Sequence, residues 1–333
     1  MAIIRDMMAA FELFQPASID ETVDLLGRFD DGWVLAGGLD SFEWFKMRHR
    51  RPRVVIDVSG VEELKGIRDS DGGLEIGAMT TLTEIVTNET IRQRFGVLST
   101  AAYAVATPQI RNQGTIGGNI SQDTRCWYYR GGWPCYRDGG NICYADTPTS
   151  MNREHCIFGA SRCVAVNPSD TAPALIALDA KIVVRSGGSE RVFDAEDFFI
   201  GPSTDITRMT VLKPGDLVTA VRIPAEWADS AFYFEKARDR QSWDFPLVNV
   251  ATAIKTSGGT IQDIRLAVNA VAPYPMRLTR VEDQLRGQPI NEDVALAAGE
   301  MAIQGAHLLR QNAYKVPLLR NLVKRAIRDA EVQ

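Results

Sequence analysis

The cysteines of this chain could bind a metal, because all five lie in one short segment. They are Cys126, Cys135, Cys143, Cys156 and Cys163. In a reducing compartment, clustered cysteines more often bind a metal than form disulfides. No CxxC pair occurs, which weakens a zinc-ribbon interpretation, whereas an iron–sulfur cluster accepts thiolates from an irregular loop. The pattern favours an iron–sulfur centre, with zinc and unligated thiols as the alternatives.

Aromatic residues and one histidine accompany these cysteines. Trp127, Tyr128 and Tyr129 follow the first cysteine, and Trp133 lies nearby. They could shield a metal centre from water, or they could form the core of a long loop. His155 could donate a hydrogen bond to a ligand, although we expect a solvated loop histidine. The chain has no nucleophile elbow or HExxH motif, so we assign no catalytic residue and expect an electron relay.

Two glycine pairs have the composition of phosphate-binding turns, since glycines let backbone N–H groups approach an anion. The first turn comprises Val34, Leu35, Ala36, Gly37, Gly38, Leu39, Asp40 and Ser41. The second comprises Thr115, Ile116, Gly117, Gly118 and Asn119. Each could also be a plain turn, and Asp40 would repel a phosphate unless its carboxylate points away. Neither pair is a GxGxxG fingerprint and no Walker loop occurs, so a Rossmann or P-loop fold has no support.

Composition excludes several classes of protein. A net charge of −5 and the absence of a basic block argue against nucleic-acid binding. No run approaches the roughly 20 apolar residues that span a bilayer. The N-terminus carries charges and no small-residue cleavage site, so it does not resemble a secretory signal. We therefore expect a cytoplasmic protein with no membrane partner.

The predicted elements suggest three domains. Residues 1–58 alternate helix and strand around the first glycine turn, and residues 59–224 contain the second turn and an insertion at about 121–165. Residues 225–333 combine a predicted antiparallel meander at 231–236, 247–255 and 260–270 with helices at about 278–286, 292–308 and 316–330. The sequence thus predicts an α+β fold.

With these motifs in this order, the chain resembles the FAD-binding medium subunit of the molybdenum hydroxylases, the xanthine dehydrogenase family. The matching pieces are 34–41, 115–119, 169–175, 197–202, 222–224 and 236–240. The resemblance implies a PCMH-type FAD-binding fold in two subdomains, followed by a C-terminal domain like that of CO dehydrogenase flavoproteins. It also implies that FAD lies between the two glycine turns, near Asp170 and Lys236.

The cysteine insertion is similar to one in the β subunit of 4-hydroxybenzoyl-CoA reductase and to one in periplasmic aldehyde oxidoreductases. Both relatives hold a [4Fe–4S] cluster. The resemblance implies Cys126, Cys143 and Cys163 as shared ligands. The aldehyde-type spacing around Trp133-Pro134-Cys135 is reproduced here, so we expect Cys135 as the fourth ligand and keep Cys156 as the alternative.

The family implies two partner chains, a large molybdopterin-binding subunit and a small subunit with [2Fe–2S] clusters. Our main expectation is an electron-transfer subunit of an aromatic acyl-CoA reductase type, in which ferredoxin or another one-electron protein docks near the extra cluster. The alternative is the FAD subunit of an aldehyde or N-heterocycle dehydrogenase. Two other classes stay open, a zinc-stapled interaction protein and a free-standing flavoenzyme oxidase.

Overall fold

The structure is a computed structural model that describes residues 8–330, so both ends of the chain lie outside it, including the ends of the expected domains 1–58 and 225–333. Its strands are β1 (Glu12–Phe14), β2 (Gly32–Leu35), β3 (Val54–Asp57), β4 (Ile67–Ser70), β5 (Gly73–Gly77), β6 (Lys181–Ser186), β7 (Ser189–Asp194), β8 (Asp216–Ile223), β9 (Ala231–Ala237), β10 (Val248–Ser257), β11 (Thr260–Asn269) and β12 (Met276–Arg277). Its helices are α1 (Ile19–Arg28), α2 (Leu39–Lys46), α3 (Leu82–Thr87), α4 (Glu89–Arg94), α5 (Gly96–Tyr103), α6 (Pro108–Gln113), α7 (Ile116–Ser121), α8 (Trp127–Arg130), α9 (Ala172–Ala177), α10 (Ala195–Phe198), α11 (Thr279–Leu285), α12 (Glu292–Ala302) and α13 (Lys315–Arg328).

The N-terminal sheet is parallel, with strand order β1-β3-β2. Its central strand β3 is apolar on both faces, as parallel strands between helices usually are. Val54 and Ile56 pack in one apolar cluster with Leu26 of α1. Val55 packs in another with Trp44 of α2. Because side chains alternate along a strand, the two helices cover opposite faces of this sheet.

The middle sheet is antiparallel, with strand order β4-β5-β8-β6-β7. Its core includes Ile76, Val221 and Ile182 from three neighbouring strands, together with Leu98 of α5 and Leu175 of α9. Two short helices, α6 and α7, follow α5 and carry the second glycine turn. The cysteine segment leaves this unit after α7 and returns to it at α9.

The C-terminal sheet is antiparallel, with strand order β12-β11-β10-β9. Val250 and Leu266 of this sheet pack with Leu319 and Val323 of α13. The predicted meander is therefore confirmed, and so is the predicted α+β fold. The domain limits at residues 58 and 224 stay predictions. No helix within the described range 8–330 is long and apolar enough to cross a bilayer.

Three expected boundaries differ from the structure. The alternation of polar and apolar residues over 41–50 predicts a helix that begins at Ser41. The helix α2 begins at Leu39 instead, because Gly38 adopts a left-handed φ of 76° and serves as its N-cap. The second glycine turn is not a plain turn, since residues 116–121 form the helix α7. The helix expected over 292–308 ends at Ala302, and the N–H group of His307 donates to the carbonyl of Ile157 in the cysteine segment.

Candidate functional site

The two glycine turns lie against each other. A Cβ atom added at Gly37 would lie 2.1 Å from the backbone oxygen of Gln113, just before the second turn. Only glycine permits this approach, since a side chain would overlap a backbone that has little room to move. A Cβ atom at Gly117 would likewise lie 2.9 Å from the carbonyl oxygen of Ala78 in the middle unit. The N-terminal and middle units therefore meet at Gly37, whereas the close approach at Gly117 packs the second turn within the middle unit.

A cavity of about 240 Å³ lies where the turns meet. Eleven of the predicted cofactor residues line it: Val34, Ala36, Gly37, Gly38, Leu39, Asp40, Ser41, Thr115, Gly118, Asn119 and Asp170. A second cavity, of about 200 Å³, shares Val34, Ala36, Gly118 and Ser121 with the first and adds Gly117. The tertiary structure thus brings most of the predicted site together.

Three of the predicted cofactor-binding residues line neither cavity. Leu35 and Ile116 are buried in apolar cores below the turns. The ammonium group of Lys236 is buried and donates to Asp170 Oδ2 at 2.6 Å and to the carbonyl of Ala104 at 3.0 Å. These residues support the site without facing it.

The turns differ in the backbone donors that they offer. In the second turn, the N–H groups of Gly117, Gly118 and Asn119 bond to Ala78 O, Thr115 Oγ1 and Thr115 O. In the first turn, residues 39–41 form the opening turn of α2, whose N–H groups have no acceptor within the helix. The first turn is therefore the better anion site, since the helix dipole also favours negative charge there.

Asp170 is held at the far side of the cavity by the C-terminal sheet. Its carboxylate accepts from Lys236 and from Asn249 Nδ2 at 3.1 Å. Burial raises the pKa of Asp170, while Lys236 opposes that shift. Next to it, Asn119 Oδ1 accepts from Ser169 Oγ at 2.6 Å and Thr171 Oγ1 at 2.7 Å. The second turn is thus fixed to the Asp170 segment.

Asp40 is the residue whose carboxylate was expected to repel a phosphate unless it points away. Its carboxylate is paired with Arg125 at 3.0 Å and with Arg130 at 2.9 Å. Both arginines also contact Glu43, one turn further along α2. They flank Cys126, so the cysteine segment contacts the first glycine turn directly.

Aromatic side chains of the cavity wall were missed by the sequence analysis. Trp33 comes from β2, whereas Trp243 and Phe245 come from a loop of the C-terminal domain. The N–H group of Trp243 donates to Ala106 O at 3.0 Å, which fixes this loop beside the cavity. The loop has no periodic pattern; its only signal was two aromatic residues within a polar stretch.

The cysteines lie close together but are not arranged as a metal site. Cys126, Cys143 and Cys156 share one apolar cluster, while Cys135 packs beside Trp44 and Tyr129. Burial raises the pKa of the Cys126 thiol to about 12, and the neighbouring Cys163 and Cys143 add to that rise. Nowhere in the part of the chain that the structure describes do three histidine, cysteine or carboxylate groups adopt a metal-binding arrangement. The thiols have the right chemistry for iron, but the expected cage is not preformed.

The expectation that His155 is a solvated loop histidine is wrong. The residue is 3% exposed, and its Nε2 lies 3.2 Å from Cys126 Sγ. Burial lowers the pKa of His155 to about 4, so the ring is neutral at pH 7. A neutral imidazole can still donate one hydrogen bond to sulfur.

Comparison with known proteins identifies the family. The family described as FAD binding domain in molybdopterin dehydrogenase matches residues 9–226, and the CO dehydrogenase flavoprotein C-terminal domain matches residues 232–330. The aldehyde oxidoreductase FAD-binding subunit PaoB of Escherichia coli is 34% identical over 304 residues, covering 90% of this chain and 91% of that protein. The nicotine 6-hydroxylase medium subunit of Paenarthrobacter nicotinovorans is 27% identical and covers 97% of this chain and 98% of its own. A solved carbon monoxide dehydrogenase from Hydrogenophaga pseudoflava superimposes with a TM-score of 0.78 and 28% identity, over 97% of this chain and 98% of that chain. The chain therefore belongs to the FAD-binding medium subunits of the molybdopterin dehydrogenases.

Proposed function

We propose that this chain binds FAD and transfers electrons for a molybdenum-dependent dehydrogenase that acts on an aldehyde or an N-heterocycle. The observation that carries the proposal is the cavity between two glycine turns and Asp170 in a chain of this family. The relatives named above are an aldehyde oxidoreductase and a nicotine hydroxylase subunit. They favour the alternative over our main expectation of an aromatic acyl-CoA reductase. A zinc-stapled interaction protein would not account for family matches over residues 9–226 and 232–330.

The diphosphate of FAD is assigned to the first turn, where the N–H groups at 39–41 are available. The flavin end is assigned to the side of Asp170, and Trp243 and Phe245 supply aromatic wall to the same cavity. Asn119 holds the second turn in place through Ser169 and Thr171. Bound FAD would exchange two electrons with one-electron centres, and this chain would orient it and exclude water.

The proposed partners are a large molybdopterin-binding subunit and a small [2Fe–2S] subunit, because the relatives are named as subunits or medium chains. Substrate would then react in another chain, which agrees with the lack of an acid–base set here. A ferredoxin-like partner stays a prediction.

The test is purification of the native complex with a tag on this chain. We expect two co-purifying chains, FAD released on heating, and turnover of aldehydes or N-heterocycles. A preparation without flavin would contradict the proposal. Turnover of aromatic acyl-CoA thioesters alone would restore the first expectation about the substrate.

We also propose that the cysteine segment binds a [4Fe–4S] cluster. Five thiols in one segment, three of them buried and two half-buried, support it, as does the similarity of the insertion to those of cluster-containing relatives. Cys126, Cys143 and Cys163 are the proposed common ligands. The spacing favours Cys135 as the fourth ligand, whereas packing groups Cys156 with Cys126 and Cys143. Iron content of the Cys135→Ser and Cys156→Ser variants decides between them, since only the true ligand is needed for four irons.

The variant Cys126→Ser is expected to lose iron and to keep FAD. Cys126 is the N-cap of α8, and serine is a good N-cap, so Arg130 at the end of that helix keeps its place. Iron analysis, low-temperature EPR and flavin absorbance measure the two cofactors separately. A variant that retains four irons would contradict the assignment of Cys126.

A further inference from the structure

A carboxylate borders the proposed diphosphate site and opposes it. Asp40 lies in the first turn of α2 and lines the cavity. A negative side chain there competes with an anionic ligand for the helix dipole and repels its charge. An anion can therefore bind at this turn only if other groups balance Asp40.

Two arginines of the cysteine segment supply this balance. Arg125 Nη2 lies 3.0 Å and Arg130 Nη2 lies 2.9 Å from the same Asp40 oxygen. Glu43 is the second carboxylate in the group and contacts both arginines. Two positive and two negative charges make the group neutral, and the loss of either arginine leaves it negative.

Arg130 is held rigidly where it can act on Asp40. Its side chain is 8% exposed, and its guanidinium lies 3.6 Å from the centroid of the Trp44 ring. Its Nε donates to Thr124 O at 2.9 Å, and Nη2 also donates to Asp123 O at 3.3 Å. Unlike Arg125, Arg130 does not line the cavity. Its effect on a ligand would therefore pass through Asp40.

We propose that Arg130, assisted by Arg125, is a positioning residue for FAD that neutralises Asp40 and turns its carboxylate toward the cysteine segment. The inference rests on the proposed function, because it takes FAD as the ligand of this cavity. The segment that carries the cysteines is then also part of the flavin site, through charge and independently of any metal.

The test is a double-mutant cycle in the full-length chain after removal of flavin. FAD is titrated into the wild type and into Arg130→Met, Asp40→Asn and the double variant, with flavin fluorescence as the readout. We expect Arg130→Met to weaken FAD binding about tenfold or more, since it leaves a carboxylate unbalanced next to the ligand. Asp40→Asn is expected to bind at least as tightly as the wild type. The double variant is expected to regain most of the loss, because no charge needs balancing.

The controls separate charge from packing. Arg130→Lys keeps the charge and is expected to bind FAD more tightly than Arg130→Met. Arg222 pairs with Glu75 and Glu190 on the middle sheet and lines neither cavity, so Arg222→Met is expected to leave FAD affinity unchanged. If Arg130→Met does not fold, Arg130→Gln in the presence and absence of Asp40→Asn gives the same cycle, because it removes the same charge at a residue that does not line the cavity.

Two results would overturn the inference. One is unchanged FAD affinity in Arg130→Met; the other is an equal loss with and without the Asp40 charge, which would assign Arg130 a packing role only. A wild-type chain that binds no FAD would instead refute the proposed function. The two failures are therefore distinguishable.

Discussion

Asp40 and Asp170 both border the cavity, yet their carboxylates differ in burial and in their partners. Asp40 is one-quarter exposed and faces two arginines. Asp170 is almost fully buried and faces one lysine and one amide. Burial of a carboxylate costs free energy unless it is paired, so each aspartate depends on partners that are distant in sequence. Gly37 also has a partner that is distant in sequence, because the backbone of Gln113 passes where a Cβ atom of residue 37 would lie.

Gly37→Ala is expected to lower the free energy of unfolding by about 1 to 3 kcal/mol, as overpacking usually does. It is also expected to reduce flavin content, because its methyl group forces the two turns apart. Urea unfolding and the ratio of flavin to protein measure these effects. The matched control is Gly27→Ala in α1, where nothing lies within 4 Å of the added atom; it is expected to raise stability by about 0.5 to 1 kcal/mol. Equal stability of the two variants would contradict this account of the turns.

Short helices surround the site, and their ends carry much of their stability. A helix of six residues does not persist alone in water, so caps and packing must hold it. Thr81 and Glu84 form a capping box at the start of α3. Thr115 caps α7 with its hydroxyl group. The Leu82 N–H group donates to Gly114 O at 2.8 Å, which ties α3 to the second glycine turn.

Thr81→Ala is expected to lower the free energy of unfolding by about 1 kcal/mol, the usual value of an N-cap. The hydroxyl group accepts from the Glu84 N–H group at 3.2 Å, and alanine leaves that donor unpaired. Thr87→Ala at the end of the same helix is the control, because the hydroxyl of Thr87 bonds only to carbonyls of its own helix. Urea unfolding of both variants measures the difference, and a larger effect at Thr87 would refute the capping argument.

The three sheets meet around one cavity. The N-terminal unit gives the first turn, the middle unit gives the second turn and Asp170, and the C-terminal sheet gives Lys236 and the loop that carries Trp243. The ion pair between Asp170 and Lys236 joins the middle unit to β9. Because it is buried, the loss of one partner leaves an uncompensated charge.

Lys236→Met is expected to lower the free energy of unfolding at pH 7 by about 3 to 5 kcal/mol. Burial already raises the pKa of Asp170, and removal of the cation raises it further. The folded variant then holds a proton that the unfolded chain releases near pH 4, so its stability falls as pH rises from about 4 through the folded-state pKa. Urea unfolding from pH 4 to 8 measures this slope. The control Asp170→Asn with Lys236→Met is expected to lose the slope; if the slope persists, another group causes it.

Features set by neighbouring residues could be predicted from the sequence. The pattern Ser18-x-x-Glu21 predicts the cap of α1, and Thr81-x-x-Glu84 predicts the capping box of α3. The alternating strands of the C-terminal meander are likewise predicted close to where they lie. The two glycine turns could also be identified from their paired glycines, although only the first lies between a strand and a helix and the second lies between α6 and α7. The start of α2 at Leu39 could not, since it depends on the left-handed φ of Gly38.

The sequence by itself determined the C-terminal meander, the two glycine turns and the segment that holds the thiols, because each is written in local composition or spacing. The order of its motifs carried the resemblance to the family, whereas β1, β4 and β7 were not predicted. Only the tertiary structure decided which charges meet. Three contacts join residues that are far apart in the chain. Arg130 pairs with Asp40, His155 is buried beside Cys126, and Trp243 lines the cavity. Such contacts produce no periodic pattern in the sequence, since they depend on how the three sheets pack against one another.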